Sequence, residues 1–437
     1  MAQTAPVVAP TLEEFEVAHA NVAQVAIQTP VLHSHYLTEL VGQEVFLKCE
    51  NLQRTGAYKL RGAFNRMSKL TPAERKKGVV AASAGNHAQG VALAAKKLGI
   101  KATIFMPVGA SLPKFQATQN YGASVVLEGA VFAETLKAAQ EYAAKKGAIF
   151  IPPYDNIDVV TGQGTVGLEI LDQVPDVQTI LVAIGGGGLA AGVAVAAKLK
   201  AAKLGRKIKV IGVQSENAAS YVPSLKGGKP TEISTKRTIA DGIAVAKPGR
   251  IPFELIAKHI DKVVTVSEDE IAKALVVMLE RSKQVVEPAG VVAVAALMSG
   301  AVKPKGVTVA VLSGGNIDPL LMQKIIGYGL SASERYTTIS VMLPDRPGQL
   351  VKTAEAIAAA QGNVVEVLHT RHGKGLEISE VELKMSVETT GHEHRQRGGE
   401  RAENQVAEAD LAVEPEAAPG RADVQVQGTQ GQHQATA

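Results

Sequence analysis

The amino-acid sequence predicts an α/β protein, with a two-domain core of mostly parallel sheets and a smaller α/β domain after it. From about residue 45 to 320, short β-branched segments alternate with alanine-rich helical segments, a pattern typical of strand–helix units around a parallel sheet. Glycine-rich turns connect several of these strands to the helix that follows. After residue 336 the order changes to strand, helix, strand, strand, which indicates a separate domain.

The core contains two sets of predicted strands. The first set has strands at residues 78–83, 101–106, 123–129 and 148–153, with helices between them. The second set has strands at residues 179–184, 208–214 and 307–313. A helical segment near 317–330 ends the core, which we expect to span 1–330, with its smaller lobe over about 50–150.

The sequence after residue 336 predicts a smaller domain and a tail. Strands are predicted at 337–344, 363–372 and 376–388 and a helix from about Gly348, so this domain spans 336–390. Residues 391–437 contain no aromatic residue and are rich in Gln, Glu, Ala, Gly and Arg. Such a composition cannot bury enough apolar surface to fold alone, so we predict a disordered tail.

Composition restricts the class of function. The chain has 46 basic and 42 acidic residues and no basic stripe interleaved with aromatic residues, so we expect no nucleic-acid partner. The longest apolar stretches, such as 291–298, are far shorter than the roughly 20 residues of a membrane span, and no signal peptide is evident. The single cysteine, Cys49, predicts a packed thiol in a reducing compartment. We therefore expect a cytoplasmic protein that acts on a small molecule.

The densest chemical signal is the segment ENLQRTGAYKLRGAFN at residues 50–65. Lys59 follows a polar loop and opens a predicted helix, where a buried Schiff base could form. A lysine that forms a Schiff base must lose its proton, and the helix N-terminus and Arg61 would favour that loss. A single lysine at such a place is more commonly a solvated side chain on a helix face, so its neighbours decide the interpretation.

The segment SAGNHAQG at residues 83–90 joins a predicted strand to a predicted helix. Backbone N–H groups of residues 84–87 can therefore bind an anion such as a substrate carboxylate, and Asn86 adds a side-chain donor. For His87 we favour a structural imidazole with only the backbone N–H serving the ligand, and a direct role of the ring is the alternative.

Two further loops end predicted strands. The segment GGGGL at residues 185–189 lets the main chain approach a phosphate closely at a helix N-terminus, although glycine-rich turns alone are a weak signal. The segment SGGN at residues 313–316 lies where ligands of open α/β sheets collect. Ser313 is the candidate ligand group there, and a helix-capping serine is the alternative.

Together these four segments resemble the fold type II (tryptophan synthase β-like) pyridoxal-phosphate enzymes, and most closely the threonine dehydratases, or threonine ammonia-lyases. The resemblance covers most of residues 10–330 and implies pyridoxal 5'-phosphate (PLP) as cofactor. It implies that Lys59 bears the cofactor, Asn86 contacts its phenolic oxygen and Ser313 faces its pyridine nitrogen. The residues implied for the phosphate are Gly185, Gly186, Gly187, Gly188 and Leu189. The residues implied for the substrate carboxylate are Ser83, Ala84, Gly85, Asn86 and His87.

The resemblance also implies a reaction: L-threonine loses water by β-elimination and yields 2-oxobutyrate and ammonia, and L-serine reacts in the same way. The amine of Lys59 would remove the α-proton as general base. A serine hydroxyl cannot keep the pyridine nitrogen protonated as an aspartate would, so Ser313 implies a weaker electron sink that favours prompt elimination over transamination.

Serine racemases share this framework and are the nearest alternative. They carry a serine as second proton-transfer residue where this chain has Ala84, and they resemble divalent-metal binders through carboxylates where this chain has Gln214 and Ser220. We therefore predict elimination rather than racemisation, and no metal site. Glu287 is either a buried structural acid or an ion-associated one, and the dehydratase-like segment ADGIAV at 240–245 has no chemical role that the sequence reveals.

The segments DRPGQL (345–350) and GNVVEV (362–367) resemble an ACT regulatory domain, although residues 391–410 supply the remaining helix and strand of that fold poorly. The resemblance implies an allosteric enzyme that binds an amino-acid or nucleotide effector, with Asp345, Gly348 and Asn363 as candidate ligand residues. The resemblance to the threonine dehydratases also implies a homo-oligomer, dimer or tetramer, in isoleucine biosynthesis or amino-acid breakdown.

Two rival functions remain open. A β-replacing synthase related to cysteine synthases is disfavoured, because its lysine loop differs from TGAYKLRGA (55–63). A catalytically silent amino-acid sensor would keep the fold and the ACT-like domain. The sensor is disfavoured because Lys59, Asn86, the glycine loop and Ser313 are all present.

Overall fold

The computed structural model describes residues 6–332, 335–372, 377–389 and 424–427. The chain divides into two units between Met322 and Gln323, close to the predicted boundary at 330. Among the described residues, no helix is both long and apolar enough to cross a membrane.

The first unit alternates helices and strands through most of its length. Its helices are α1 (Leu12–Val22), α2 (His35–Val41), α3 (Lys59–Ser68), α4 (Pro72–Lys77), α5 (Asn86–Leu98), α6 (Leu112–Asn120), α7 (Phe132–Lys146), α8 (Ile157–Gln173), α9 (Gly188–Lys203), α10 (Tyr221–Gly227), α11 (Arg250–His259), α12 (Glu268–Val277) and α13 (Pro288–Met298). Its strands are β1 (Val31–His33), β2 (Val45–Cys49), β3 (Val79–Ala82), β4 (Ala102–Met106), β5 (Ser124–Leu127), β6 (Ile149–Phe150), β7 (Thr179–Ala183), β8 (Lys209–Ser215), β9 (Lys262–Val266) and β10 (Thr308–Leu312).

Two sheets organise this unit within the described residues. The smaller sheet has the order β5-β4-β3-β6 and is parallel throughout. The larger sheet has the order β1-β2-β10-β7-β8-β9, and only β1 is antiparallel to its neighbour. The predicted α/β class with mostly parallel sheets is therefore confirmed, and the carboxyl ends of β2, β7, β8 and β10 lie along one edge.

The central strands of the larger sheet are buried on both faces. Every residue of β7 and β10 is buried, which is why these segments have continuous apolar sequences instead of alternating ones. Helices α8 and α9 cover one face and approach each other closely through glycines. A Cβ atom on Gly192 would lie 2.3 Å from the carbonyl oxygen of Val160, so a larger residue would force the helices apart.

The strand predictions for the core differ from the structure in two respects. The prediction for 148–153 extends too far, because β6 ends at Phe150 and Pro152 and Pro153 have no N–H groups for a ladder. Strand β9 was not predicted, and it is a half-exposed edge strand that pairs only with β8 in the described residues.

A network of buried charges joins β2, α3 and α8. Arg61 donates to Glu50 at 2.7 Å and to Glu169 at 2.6 Å, and Lys48 donates to Glu169 at 2.6 Å. Burial alone would raise the pKa of Glu169, but hydrogen bonds from His19 and Arg61 lower it to about 2. Two cations and two anions thus balance one another inside the unit, and each is hydrogen-bonded as burial requires.

Cys49 ends β2 between two members of this network. Its thiol is fully buried and donates to the carbonyl oxygen of Leu47 at 3.4 Å. Burial raises the pKa of the thiol to about 12, so the reactive thiolate is strongly disfavoured.

The second unit begins within α14 (Pro319–Ala332), which crosses the division. It contains β11 (Tyr336–Pro344), α15 (Gln349–Ala359), β12 (Asn363–Thr370), β13 (Glu380–Glu388) and β14 (Val424–Gln427). Its antiparallel sheet has the order β12-β13-β11-β14, and its core consists of apolar residues of β11 and β13 with Ile357 of α15.

Strand β14 corrects one sequence prediction. Val424–Gln427 lies in the segment predicted to be a disordered tail, yet it pairs with β11 from Thr338 to Val341. A free strand edge supplies hydrogen bonds that composition alone does not reveal. The other residues of the predicted tail lie outside the described part of the chain.

Substitution of Arg61 by Met should destabilise the first unit strongly. Removal of the guanidinium leaves Glu50 without its ion pair and Glu169 with only Lys48 and His19, which should lower the free energy of unfolding by about 3–5 kcal/mol. Urea unfolding monitored by circular dichroism measures the change. The matched control is Lys69→Met, which removes a half-exposed ion pair with Asp158 and should cost at most about 1 kcal/mol. Equal losses in the two variants would contradict the assignment.

Candidate active site

The four predicted segments meet at the carboxyl ends of the parallel strands. The backbone N–H of Tyr58 donates to the carbonyl oxygen of Ser313 at 3.2 Å, which joins the lysine loop to the end of β10. Gly90 of α5 packs directly against the start of α3, since a Cβ atom there would lie 3.0 Å from the carbonyl carbon of Lys59. The sheet edges therefore bring the lysine, the anion loop and the serine turn together.

Lys59 is the first residue of α3, and its amine faces the segment that follows β6. Nζ donates to the carbonyl oxygen of Pro153 at 3.2 Å and lies 5.2 Å from the ring centroid of Tyr58. Arg61 does not supply the positive neighbour expected from the sequence, because its guanidinium is bound by two buried carboxylates. The expectation was wrong because residues two apart on a helix face different directions.

The segment 83–87 forms the turn from β3 into α5. Oγ of Ser83 accepts a hydrogen bond from the N–H of Gly85 at 3.1 Å, so one of the backbone donors expected for an anion is already occupied. Gly85 is the N-cap residue of α5, and no side chain of the described residues accepts a hydrogen bond from the N-terminus of this helix. The first-turn N–H groups of α5 are thus open to an anionic ligand, while Ala84 adds only a methyl group.

The imidazole of His87 is buried behind this turn. Nε2 lies 2.8 Å from the carbonyl oxygen of Ile151, which can only accept, so Nε2 carries the hydrogen. Burial and the charge of Lys59 lower the pKa of His87 to about 3, which keeps the ring neutral. The ring therefore ties α5 to the residue after β6, and only the backbone of His87 faces the anion turn.

The glycine loop connects β7 to α9 and is enclosed by two tyrosines. A Cβ atom on Gly186 would lie 2.3 Å from the ring of Tyr154, and one on Gly187 would lie 2.0 Å from the hydroxyl of Tyr221. That hydroxyl donates to the carbonyl oxygen of Gly186 at 3.1 Å. Gly187 also has φ +98°, which favours glycine. Packing therefore requires these glycines.

The loop keeps its backbone donors available. The N–H groups of residues 185–187 donate to no described residue, and α9 begins at Gly188 without a side-chain cap. Tyr154 and Tyr221 were not predicted as site residues. Tyr154 follows β6 and could have been found as a residue at a strand end, but Tyr221 comes from a distant helix and the sequence carries no signal for it.

Ser313 follows β10 and is 3% exposed. Its backbone N–H donates to the carbonyl oxygen of Gly290 at 3.3 Å, while its hydroxyl has no hydrogen-bond partner among the described residues. The hydroxyl oxygen is not among the fully buried side-chain atoms that lack a partner, so it is accessible. A ligand with an acceptor atom at this position could therefore bind it.

Asn86 is held by two side chains that were not predicted to contact it. Nδ2 of Asn86 donates to Oε1 of Glu287 at 2.7 Å, and Oδ1 of Asn86 accepts from Nδ2 of Asn316 at 2.8 Å. Asn316 ends the same SGGN segment as Ser313, so its place at a strand end was visible in the sequence. The sequence did not reveal its contact with Asn86, which is 230 residues away.

Glu287 precedes α13 and lies among several charged groups. Its pKa is raised to about 7, first by burial and then by the carboxylate of Asp241. The hydrogen bond from Asn86 and the charges of Lys114 and Lys59 oppose this rise. Glu287 is therefore close to half-protonated near neutral pH.

The segment at 240–245 lines this side of the site. Oδ2 of Asp241 lies 3.5 Å from Nζ of Lys114, which belongs to the smaller lobe. A Cβ atom on Gly185 would lie 2.9 Å from Cα of Ile243, so the segment also packs on the glycine loop. These contacts give the segment a structural role that the sequence did not reveal.

Of the two positions considered for metal carboxylates, Gln214 has other partners, while the buried hydroxyl of Ser220 has none among the described residues. Nε2 of Gln214 donates to the carbonyl oxygens of Ile184 and Ala218 at 3.3 Å and 3.4 Å, and its Oε1 accepts from the N–H of Tyr221 at 3.0 Å. Ser220 is fully buried beside them. In the part of the chain that the structure describes, no group of three or more His, Cys, Asp or Glu side chains could hold a metal ion.

A cavity of about 360 Å³ lies in the second unit where β11 leads into α15. Two of the candidate effector residues, Asp345 and Gly348, line it together with His369 and Arg371. Nη2 of Arg371 lies 3.5 Å from Oδ1 of Asp345. Gly348 has φ +92° and caps α15 without a side-chain acceptor, so this helix N-terminus is open as well.

Asn363 lies elsewhere, which corrects the sequence prediction. It pairs with Glu388 at one end of the sheet, and its Nδ2 donates to Oε2 of Glu388 at 3.3 Å. The cavity lies at the other end, beside Leu343 and Val381. The register of the strands decides this placement, and a single sequence does not show it.

The fold and the site define a family. A family model described as pyridoxal-phosphate dependent enzyme matches residues 22–314, and the chain belongs to this family. Its cofactor is pyridoxal phosphate, and the predicted fold type II class is confirmed. The groups without partners fit this cofactor: the glycine-loop N–H groups suit a phosphate, and the hydroxyl of Ser313 suits a ring nitrogen.

Three similar proteins show which members of the family this chain resembles. The L-threonine ammonia-lyase of Thermotoga maritima is 46% identical over 385 residues, which cover 88% of this chain and 95% of that protein. The processed form of threonine deaminase isoform 2 from Solanum lycopersicum has a solved structure that matches with a TM-score of 0.69. Its sequence is 37% identical, and the match covers 75% of this chain and 99% of that one. Maize serine racemase is 33% identical with a TM-score of 0.69, covering 74% of this chain and 98% of that one.

Substitution of Glu287 by Gln should change how the stability of the cofactor-free protein depends on pH. The pKa of Glu287 is raised from its usual 4.5 to about 7, so the folded state binds more protons than the unfolded state between these values. The stability that this group contributes is present below pH 4.5 and is lost as the pH rises through 7. Because glutamine does not titrate, the stability of the variant relative to that of wild type should increase as the pH rises from about 5 to about 8.

Urea unfolding of both proteins at about pH 5 and about pH 8 measures this change in relative stability. Glu39→Gln, which removes an exposed carboxylate of α2, is the matched control for loss of one negative charge. A difference between wild type and Glu287→Gln that is the same at both pH values would contradict the raised pKa of Glu287.

Proposed function

We propose that this chain is an L-threonine ammonia-lyase that converts L-threonine to 2-oxobutyrate and ammonia and also accepts L-serine. The observation that carries the proposal is the position of the Lys59 amine, which lies 3.2 Å from the carbonyl oxygen of Pro153. Pro153 precedes Tyr154, whose ring packs on the open glycine loop, and the N–H of Tyr58 joins the lysine loop to Ser313. The identity of 46% to an L-threonine ammonia-lyase over 95% of that protein supports the same activity.

The site residues divide into those that hold PLP and those that hold the substrate. The N–H groups of residues 185–189 would bind the cofactor phosphate at the N-terminus of α9. Ser313 would donate to the pyridine nitrogen, and Asn86 to the phenolic oxygen. When bound, PLP withdraws electrons from the α-carbon of an amino acid that is joined to it.

The lysine and the anion turn act on the substrate. The N–H groups at the start of α5 would hold the substrate carboxylate and fix the α-carbon near Lys59. The neutral amine of Lys59 would then take the α-proton as general base, with the other groups fixing the geometry. Ser313 would donate a hydrogen bond without carrying a charge. This favours prompt loss of the β-hydroxyl over accumulation of negative charge.

The racemase alternative lacks a second proton carrier. Ala84 presents a methyl group in the anion turn, where the serine racemases carry a hydroxyl. A proton removed by Lys59 therefore has no side-chain donor at Ala84 from which to return on the other face. The likeness to maize serine racemase is explained by the shared fold.

The second unit supports a regulatory role for an ACT-like domain. Its cavity of about 360 Å³ lies within the roughly 300–1,000 Å³ of small-molecule sites. Arg371 and the N-terminus of α15 suit a carboxylate, and Asp345 suits an ammonium group. We propose that this cavity binds an amino-acid effector, with a nucleotide as the alternative. We also propose a cytoplasmic homo-oligomer, dimer or tetramer, that serves isoleucine biosynthesis or amino-acid breakdown.

Wild-type protein should release 2-oxobutyrate from L-threonine and pyruvate from L-serine, and Lys59→Ala should abolish both reactions. Loss of a general base alone lowers kcat by about 10²–10⁴-fold. A lactate dehydrogenase assay for the oxo acids measures the rates. Lys69→Met, which changes an exposed lysine of the same region, should keep wild-type rates. If wild type forms no oxo acid from either amino acid, the proposed activity is wrong.

Substitution of Arg371 by Ala should weaken binding of the effector. A lost hydrogen bond to a charged group should raise the dissociation constant of L-isoleucine or L-valine by about 10- to 100-fold. Isothermal titration of the full chain with these amino acids and with ATP measures binding. The control is Lys384→Ala, which changes an ion pair with Glu382 outside the cavity. Unchanged binding in Arg371→Ala would refute this location.

A further inference from the structure

A continuous path of hydrogen bonds crosses the site beside Asn86. Nδ2 of Asn316 donates to the carbonyl oxygen of Thr55 at 2.7 Å and to Oδ1 of Asn86 at 2.8 Å. Nδ2 of Asn86 then donates to Oε1 of Glu287 at 2.7 Å. The path joins the lysine loop, the turn after β10, the start of α5 and the residue before α13.

The direction of every bond in this path follows from its first member. The backbone carbonyl of Thr55 can only accept, so the atom of Asn316 that faces it must be the amide nitrogen. That same nitrogen faces Asn86, which must therefore present its carbonyl oxygen. The amide nitrogen of Asn86 is then left to face Glu287. A rotated amide at Asn86 would set its nitrogen against the nitrogen of Asn316 and lose that bond, and it would set its oxygen against Glu287, where ionised Glu287 has no hydrogen to donate.

Two glycines leave room for this path. Gly56 has φ +69°, and a Cβ atom there would lie 2.3 Å from Oδ1 of Asn316. A Cβ atom on Gly314 would lie 2.4 Å from Oε1 of Glu287 and 3.1 Å from Nδ2 of Asn86. The glycines of the lysine loop and of the SGGN turn are thus required by the side chains that surround Asn86.

We propose that Asn316 and Glu287 are positioning residues that fix the carboxamide of Asn86 so that it offers its second Nδ2 hydrogen, and not its oxygen, to the cofactor. The inference rests on the proposed function, in which Asn86 donates to the phenolic oxygen of PLP. Both residues act through Asn86. Glu287 needs only an acceptor oxygen for this task, which a neutral amide also supplies.

The test is a double-mutant cycle on cofactor binding. Apoprotein of wild type, Asn86→Ala, Asn316→Ala and the double variant is titrated with PLP, and its visible absorption band is recorded. Asn316→Ala should raise the dissociation constant about 2- to 10-fold, the loss expected for one neutral hydrogen bond. It should shift the band in the direction seen for Asn86→Ala. In the Asn86→Ala background it should change the constant by less than about 2-fold.

Conservative variants separate positioning from general damage to the fold. Glu287→Gln keeps an acceptor oxygen and should bind PLP within about 2-fold of wild type, while Glu287→Ala should bind as weakly as Asn86→Ala. Asn316→Asp is matched in size but its carboxylate cannot donate, so it should behave as Asn316→Ala does. If circular dichroism shows that Asn316→Ala does not fold, Asn316→Asp replaces it in the double-mutant cycle.

Two results would overturn the proposal. The first is an equal loss from the Asn316 substitution with and without the Asn86 side chain, and the second is a Glu287→Gln variant as weak as Glu287→Ala. Wild type that binds PLP but forms no oxo acid would reject the proposed function and leave the positioning result standing. Wild type that binds no PLP would reject both.

Discussion

The buried pairing of Arg61 with Glu50 and Glu169 is the constraint on which the site depends. Arg61 lies two residues after Lys59, on a different side of α3, so its ion pairs fix how the helix is turned about its axis. That rotation directs the amine of Lys59 toward Pro153. Charges buried in this way are stable only when every partner is present, and the network therefore selects one arrangement of β2, α3 and α8.

The rest of the site follows from the parallel sheets. Helices α5 and α9 both begin at strand ends and direct unoccupied N–H groups toward the same region. Two open helix N-termini suit a ligand with two anionic groups, which in the proposed function are the phosphate of the cofactor and the carboxylate of the substrate. Neutral His87 and uncharged Ser313 add no competing charge.

Much of this architecture could be predicted from the sequence, because buried parallel strands are continuous apolar runs and their ends are marked by glycine or polar residues. Lys59, Asn86, the glycine loop and Ser313 were identifiable for that reason. Tyr221 and the contact of Asn316 with Asn86 were not, since they depend on residues distant in sequence. The error at Asn363 has the same origin, because strand register and not local sequence decides which end of a sheet a residue occupies.

The burial of Cys49 has a practical consequence. The chain has a single cysteine, and its thiol lies at the end of β2 with a pKa raised to about 12. Alkylating reagents need an accessible thiolate, so the folded native chain offers them no efficient target. A cysteine introduced on the surface of either lobe would thus be the preferred attachment point for a fluorophore or spin label. The natural sequence therefore serves as a background for distance measurements between the two sheets of the first unit.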